Sequence, residues 1–310
     1  MTALIGETGR GLQGRVCGCS LALALLAAGC AAPSARFDQM AEHTGLTRLE
    51  MNGAGLRHAV YLPRRPLREG PVHVYLSGDG RPYIRPTLPA ADPTPRRPVI
   101  LELMAQDRGP RLLLGRPCYH GLARSRGCSA DLWTDARLGE TVRDSMVAAL
   151  GRLITPEHSV VLIGYSGGGA LAILLARRLP RVKAVVTLAG NLDPAAWTRL
   201  HGLSPLDGSL EPTAGGPLPP ELVQRHYAGE LDRTIPPGLI AAAARRLGSE
   251  VRVLPGASHG RGWSRQWPAL LAEIRRASEE HCTPPCASAQ GDITVSALPY
   301  PIRTEPGLIP

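Results

Sequence analysis

Apolar positions in this chain fall into short runs separated by polar, Pro- and Gly-rich joins, and the period within each run changes from two to about 3.6 and back. Leu46 to Met51 and Arg57 to Leu62 alternate around Asn52-Gly53-Ala54-Gly55, which predicts two strands joined by a turn, an antiparallel pair at a sheet edge. Val72 to Leu76, Arg111 to Gly115, Val160 to Ile163, Val182 to Ala189, Arg225 to Ala228 and Glu250 to Leu254 predict further strands. Helical spacing appears over Val99 to Gln106, Arg137 to Ile154, Ala170 to Arg178, Gly238 to Leu247 and Gln266 to Ala277, with a short piece around Pro194 to Leu200. The strand run Val160-Val161-Leu162-Ile163 is apolar at every position, which fits a strand buried on both faces. Strands alternating with helices predict an α/β domain with a mostly parallel central sheet and helices on both faces.

The joins divide the chain. Residues 46–280 are expected to form the α/β domain, with a cap-like insertion at about 190–222 where periodicity lapses. Residues 30–45, including Pro33 to about Thr44, are expected to be a tether, and 281–310 a Pro-rich extended tail. No internal repeat is visible.

At its start the chain has a polar region with Arg10 and Arg15, then Leu21 to Leu26, then Ala27-Ala28-Gly29-Cys30. That apolar core is too short to span a bilayer as a helix and is expected to be an export signal over residues 1–29. Small residues followed by Cys resemble the bacterial lipobox, although Ala27 stands where Leu is usual. The resemblance implies a lipid-modified Cys30 that anchors an exported protein to a membrane, the outer one where the host has two.

Export changes the meaning of the other thiols. Cys118, Cys128, Cys282 and Cys286 would meet an oxidising compartment, where an even number suggests two disulfides. Four cysteines allow three connectivities, and Cys118 to Cys128 with Cys282 to Cys286 is the most economical. The first would close a loop of about eleven residues, worth roughly 2–3 kcal/mol in the chain-entropy model. Cys282-Thr-Pro-Pro-Cys286 has metal-like spacing, but no second Cys/His pair stands near it, so no metal site is expected.

Composition narrows the partners. The net charge is +9, with basic residues scattered and often beside Pro, and there is a single Phe. Without aromatic residues interleaved among the cations, nucleic-acid binding is not expected, although a basic surface can attract anionic lipid.

The chemistry concentrates at Gly164-Tyr165-Ser166-Gly167-Gly168, between a strand and a helix. So short a turn forces its middle residue into a strained backbone and presents that side chain beyond the strand end, beside the N–H groups that open the helix. A serine hydroxyl is a poor nucleophile near neutrality and needs a base; imidazole, with an unperturbed pKa of about 6.5, fits. His259, in Pro255-Gly256-Ala257-Ser258-His259-Gly260, follows the last predicted strand, and Asp232 follows another. The order Ser, Asp, His at these intervals resembles the α/β-hydrolase fold from about Leu46 to Ala277.

That resemblance implies Ser166 as nucleophile, His259 as general base and Asp232 as the carboxylate that orients it, with Glu230 and Asp193 as rival acids. It also implies an oxyanion hole built from the Gly167 N–H and a donor in Ser77-Gly78-Asp79-Gly80, namely the N–H of Asp79 or Gly80. An ionised Asp79 would oppose a developing oxyanion, so its side chain is expected to turn away, onto Arg81. No cofactor is implied. The function expected is a serine hydrolase of carboxylic esters; peptidase, amidase or acyltransferase activity on the same fold, or a non-catalytic binding lipoprotein, are the alternatives. The remaining histidines, His58, His73, His120, His201 and His226, lack metal-ligand spacing and are expected on the surface or in strands, and Trp197, Trp263 and Trp267 in core or cap packing.

Overall fold

The computed structural model describes residues 32–64, 70–155 and 158–280. The export signal, Cys30, the Cys282 and Cys286 pair and the 281–310 tail lie outside the described residues.

In chain order the elements are α1 (Pro33–His43), β1 (Leu46–Asn52), β2 (Arg57–Pro63), β3 (Val72–Leu76), β4 (Tyr83–Arg85), β5 (Leu88–Pro89), α2 (Val99–Gln106), β6 (Arg111–Leu114), α3 (Glu140–Leu153), β7 (Val160–Tyr165), α4 (Gly167–Ala176), β8 (Val182–Leu188), α5 (Pro194–Leu200), β9 (Val223–Gly229), α6 (Pro237–Arg246), β10 (Val251–Leu254) and α7 (Trp263–Glu280). Eight strands form one sheet in the order β1-β2-β6-β3-β7-β8-β9-β10. β1 pairs antiparallel with β2, and β2 antiparallel with β6. Every other pairing in that sheet is parallel.

Alternate residues of the central strands feed two separate cores. Val74, Leu76, Leu112, Leu114, Val160 and Leu162 join Val142, Met146, Leu171, Ile240 and Ala243 of α3, α4 and α6 on one face. Tyr75, Leu113, Val161 and Ile163 join Phe37 of α1, Leu103 of α2 and Trp267 of α7 on the other. A period of two with both faces covered is why these strands read as continuous apolar runs. All five residues of β3 are buried.

Several expectations change. The stretch expected as a tether is the helix α1, docked through buried Phe37 and Ala41, with Asp38 accepting a hydrogen bond from the Tyr61 hydroxyl. Phe37 packs its ring 4.5 Å from that of His120, a contact that no local pattern announces. The helix expected from Arg137 begins instead at Glu140, and Thr134 to Leu138 form turns. The Pro-rich join contains the small hairpin β4-β5. Cys118 and Cys128 are disulfide-bonded. Trp263 and Trp267 lie in the core.

His58, His73 and His226 are strand residues, and together with His120 they are buried rather than at the surface. His73 donates into a network in which Asp107 also receives the Tyr75 hydroxyl and the Arg275 guanidinium, tying α7 to β3. Burial pushes His58 and His226 down to about 4, and burial with the Arg48 charge pushes His120 down to about 3. These three histidines stay neutral in the fold, whereas the unfolded chain protonates them below about 6.5. Stability from this source is therefore complete above pH 6.5 and lost as pH falls toward 4, at about 1.4 kcal/mol per pH unit for each histidine. Urea unfolding midpoints are expected to fall steeply from pH 7 to 5, and less steeply in His226→Phe. Midpoints that stay level over that range would contradict neutral burial.

Candidate active site

The candidate residues come from turns that follow the carboxyl ends of parallel strands, where ligands of such sheets bind. Ser166 lies between β7 and α4 with φ 53° and ψ −124°, a left-handed conformation that L side chains seldom adopt. Its backbone is held on both sides: the N–H donates to Leu188 O at 3.0 Å, and the carbonyl accepts from Gly169 and Asn191 at 2.9 and 3.0 Å. Glycine is required on either side because a Cβ on Gly164 would overlap the Gly168 carbonyl, and one on Gly168 would overlap the carbonyl of Leu76.

Asp232 follows β9 and His259 follows β10. Asp232 Oδ2 accepts a hydrogen bond from His259 Nδ1 at 2.9 Å, and its side chain is sealed from solvent. Asp232 Oδ1 takes the N–H groups of Thr234 and Ile235, both at 2.9 Å, which fixes the carboxylate. The two rival acids are engaged elsewhere. Glu230 accepts from the Gly256 N–H, whereas Asp193 caps α5 through Ala196 and pairs with Arg246.

Ser166 and His259 line one cleft of about 950 Å³. Among the described residues the Ser166 hydroxyl has no hydrogen-bond partner, so the serine and the imidazole share the cleft wall without a direct bond. Catalytic hydrogen bonds of this kind often close only around substrate. The Tyr165 hydroxyl donates to His259 O at 2.7 Å, and the Trp263 indole N–H donates to the carbonyls of Ser258 and His259. Those contacts hold the histidine turn against the serine turn.

The turn after β3 crosses beside Ser166: a Cβ on Gly78 would sit 3.1 Å from Ser166 Cβ. Asp79 lies alongside Gly167, and no backbone hydrogen bond of the described residues uses its N–H. Gly80, at φ 65°, packs against the Pro93 carbonyl. The Asp79 side chain does not turn onto Arg81 as expected. It meets Arg116 Nη2 at 2.7 Å and Arg137 Nε at 3.2 Å, while Arg81 donates to the carbonyls of Tyr83 and Ile84. Burial alone would raise the Asp79 carboxyl, but the two guanidinium groups overcome it and hold its pKa below the ordinary 3.8. Arg116 leaves β6 just ahead of the disulfide loop, and Tyr119 of that loop donates to Asp79 O at 3.0 Å.

Sequence reasoning missed Arg116, Arg137, Tyr165 and Trp197 as site residues. Arg116 carried one usable signal, since it directly follows a strand that the parallel sheet aims at the cleft. Arg137 carried none, because its pattern merged with that of the helix after it. From the expected cap region, Trp197, Thr198 and Gly202 to Leu206 line the cleft, and the Trp197 indole donates to Thr234 O at 2.9 Å.

This chain has the α/β-hydrolase fold. Among solved structures it is similar to a membrane phospholipase A that is a bacterial virulence factor, with 17% identity and TM-score 0.50 over 83% of this chain and 97% of that one. It is also similar to a thermophilic esterase from Thermogutta terrifontis, at 15% identity and TM-score 0.50 over 76% of this chain and 100% of that one. A puromycin hydrolase aligns at 14% identity and TM-score 0.52 over 76% of this chain and 39% of its own length. No protein-family model matches the sequence, and no curated protein matches it.

Proposed function

We propose that this protein is a serine hydrolase that cleaves carboxylic esters through an acyl-enzyme. The observation that carries the reading is the 2.9 Å bond from His259 Nδ1 to the sealed Asp232 carboxylate, on a cleft shared with a serine of left-handed backbone. With Nδ1 donating to Asp232, His259 Nε2 is left to accept the Ser166 proton as Oγ attacks the carbonyl. The tetrahedral intermediate places its charge on the carbonyl oxygen, which the N–H groups of Gly167 and Asp79 receive. Collapse breaks the ester C–O bond, and the proton on His259 passes to the leaving alcohol. Water then repeats the sequence on the acyl group, releases the acid and restores the serine.

Asp79 sits oddly beside such a hole, and its two arginines resolve the conflict. They pair with the carboxylate and outnumber it, so the local charge favours an oxyanion although Asp79 Oδ1 lies against Gly167.

Ester over amide rests on what this fold most often hydrolyses, and the similar structures include an esterase and a phospholipase A as well as a puromycin hydrolase. A comparison of 4-nitrophenyl acyl esters with aminoacyl 4-nitroanilides tests it. Ester turnover at a kcat/KM well above the anilide value is expected. Faster anilide cleavage would replace the esterase reading with an amidase one, and no turnover of either would end it.

A further inference from the structure

We propose that the ester this cleft takes carries an anionic oxyacid group, a carboxylate or a phosphate, and that Arg137 binds it. The inference rests on the serine-hydrolase reading and adds the substrate class.

The cleft wall is cationic. Arg81, Arg96, Arg97 and Arg137 line it against only two acidic residues, Asp79 and Asp135. Asp79 has no charge to spare, since it is already shared between Arg116 and Arg137. Two buried guanidinium groups over one carboxylate leave a positive excess behind the nucleophile turn. A buried charge without a full partner is costly, and proteins keep one where something else completes it.

Arg137 is the residue built to use that excess. It is 4% exposed and lines the cleft, and its guanidinium carbon lies 5.9 Å from the centroid of the Trp197 ring, another cleft residue. Its Nε faces Asp79 at 3.2 Å without hydrogen-bond alignment, and none of its nitrogens donates to any described residue. Nε is sealed from solvent, but the two Nη atoms are not among the sealed, unpartnered atoms. One edge of the guanidinium is thus turned to Asp79, and the Nη donors are left for a ligand. Their planar fork matches two oxygens of a carboxylate or phosphate. Arg96 and Arg97 are exposed at the cleft and make no ion pair among the described residues, so they extend the same field outward. A purely structural Arg137, present only to restrain Asp79, would not need vacant donors on the cleft side.

The test uses the full-length protein and three esters of equal acyl length: 4-nitrophenyl hexanoate, mono-4-nitrophenyl adipate and 4-nitrophenyl 6-(phosphonooxy)hexanoate. Wild type is expected to prefer an anionic ester by about tenfold or more in kcat/KM, mostly through KM. The preference should narrow at 1 M salt. Whichever anionic ester shows the larger preference identifies the oxyacid. Arg137→Gln is expected to bring the anionic-to-neutral ratio near one, and Arg137→Lys to retain part of it. A structural role would slow all three esters alike and leave the ratio unchanged, which would overturn the proposal. A wild-type ratio at or below one, with hexanoate turned over, would also overturn it while leaving the hydrolase reading intact. Should Arg137→Gln not fold, the wild-type ratio and its change in Arg137→Lys decide. If no ester is cleaved and a fluorophosphonate does not label Ser166, both readings fall together.

Discussion

Ser166→Ala is expected to lower kcat by about 10⁴–10⁶-fold and to abolish covalent labelling by a fluorophosphonate. The size of the effect comes from how the three groups depend on one another. In the proposed mechanism the hydroxyl attacks only if the imidazole removes its proton, and the imidazole is aimed only while the Asp232 carboxylate holds Nδ1. His259→Ala should therefore cost about as much as Ser166→Ala, and the double variant should cost little more than either. Asp232→Asn should lose about 10⁴-fold, because an amide that donates to Nδ1 selects the wrong tautomer. Rates over a panel of 4-nitrophenyl esters, with intact-mass detection of the label, provide the measurement. A Ser166→Ala enzyme that keeps a tenth of wild-type turnover would remove the nucleophile assignment and the acyl-enzyme with it.

Asp79→Ala is expected to destabilise the protein by about 3–5 kcal/mol, which for a domain of this size lowers Tm by on the order of 10 °C. Arg116 is 2% exposed, and Asp79 is its ion-pair partner. Removing the carboxylate strands one buried cation and leaves Arg137 facing it, a repulsion that water cannot readily screen. Because the folded Asp79 pKa lies below 3.8, the stabilisation is complete above that value and fades as pH falls through the folded one. Asp79→Asn should lie between Ala and wild type, since an amide oxygen still presents partial negative charge to the two guanidinium groups. A double variant, Asp79→Ala with Arg116→Met, should recover much of the loss by removing the stranded charge. Thermal melts at pH 7 decide the matter. An Asp79→Ala protein melting within 2 °C of wild type would mean that the three charges are already solvated, and the electrostatic account of the turn would fail.

Both outcomes bear on how much a linear chain reveals. The strand β7, the turn at Ser166 and the helix α4 were legible because each rests on neighbours in sequence: an apolar run, a forced tight turn and glycines whose absent side chains let strand and helix meet. The parallel sense of the strands around them followed from alternation with helices, and the antiparallel edge pair from its turn, whereas their order in the sheet did not. Less was legible wherever the deciding contact joins distant segments. The helix α1 was read as a tether because its own sequence is mostly polar, and only the pocket between Tyr61 and His120 gives Phe37 somewhere to bury. His58, His73 and His226 were legible as strand residues, but the burial of His120 was not, since a turn position does not announce which layer will cover it.

The choice among carboxylates makes the distinction sharpest. Asp232, Glu230 and Asp193 each follow a strand in the expected region, and their residue types do not separate them. Only the path of the backbone turned Asp232 to His259 while Glu230 met the Gly256 amide and Asp193 met Arg246. Sequence alone determined the strands of the central sheet, most of the helices and the serine at the sheet's rim, because local periodicity and turn sterics act over a few residues. Sequence order favoured Asp232 over its rivals, and the tertiary structure bonds it to His259; which arginines surround Asp79 the tertiary structure alone decided, because charge pairing falls off over a few ångströms in space and takes no account of separation along the chain.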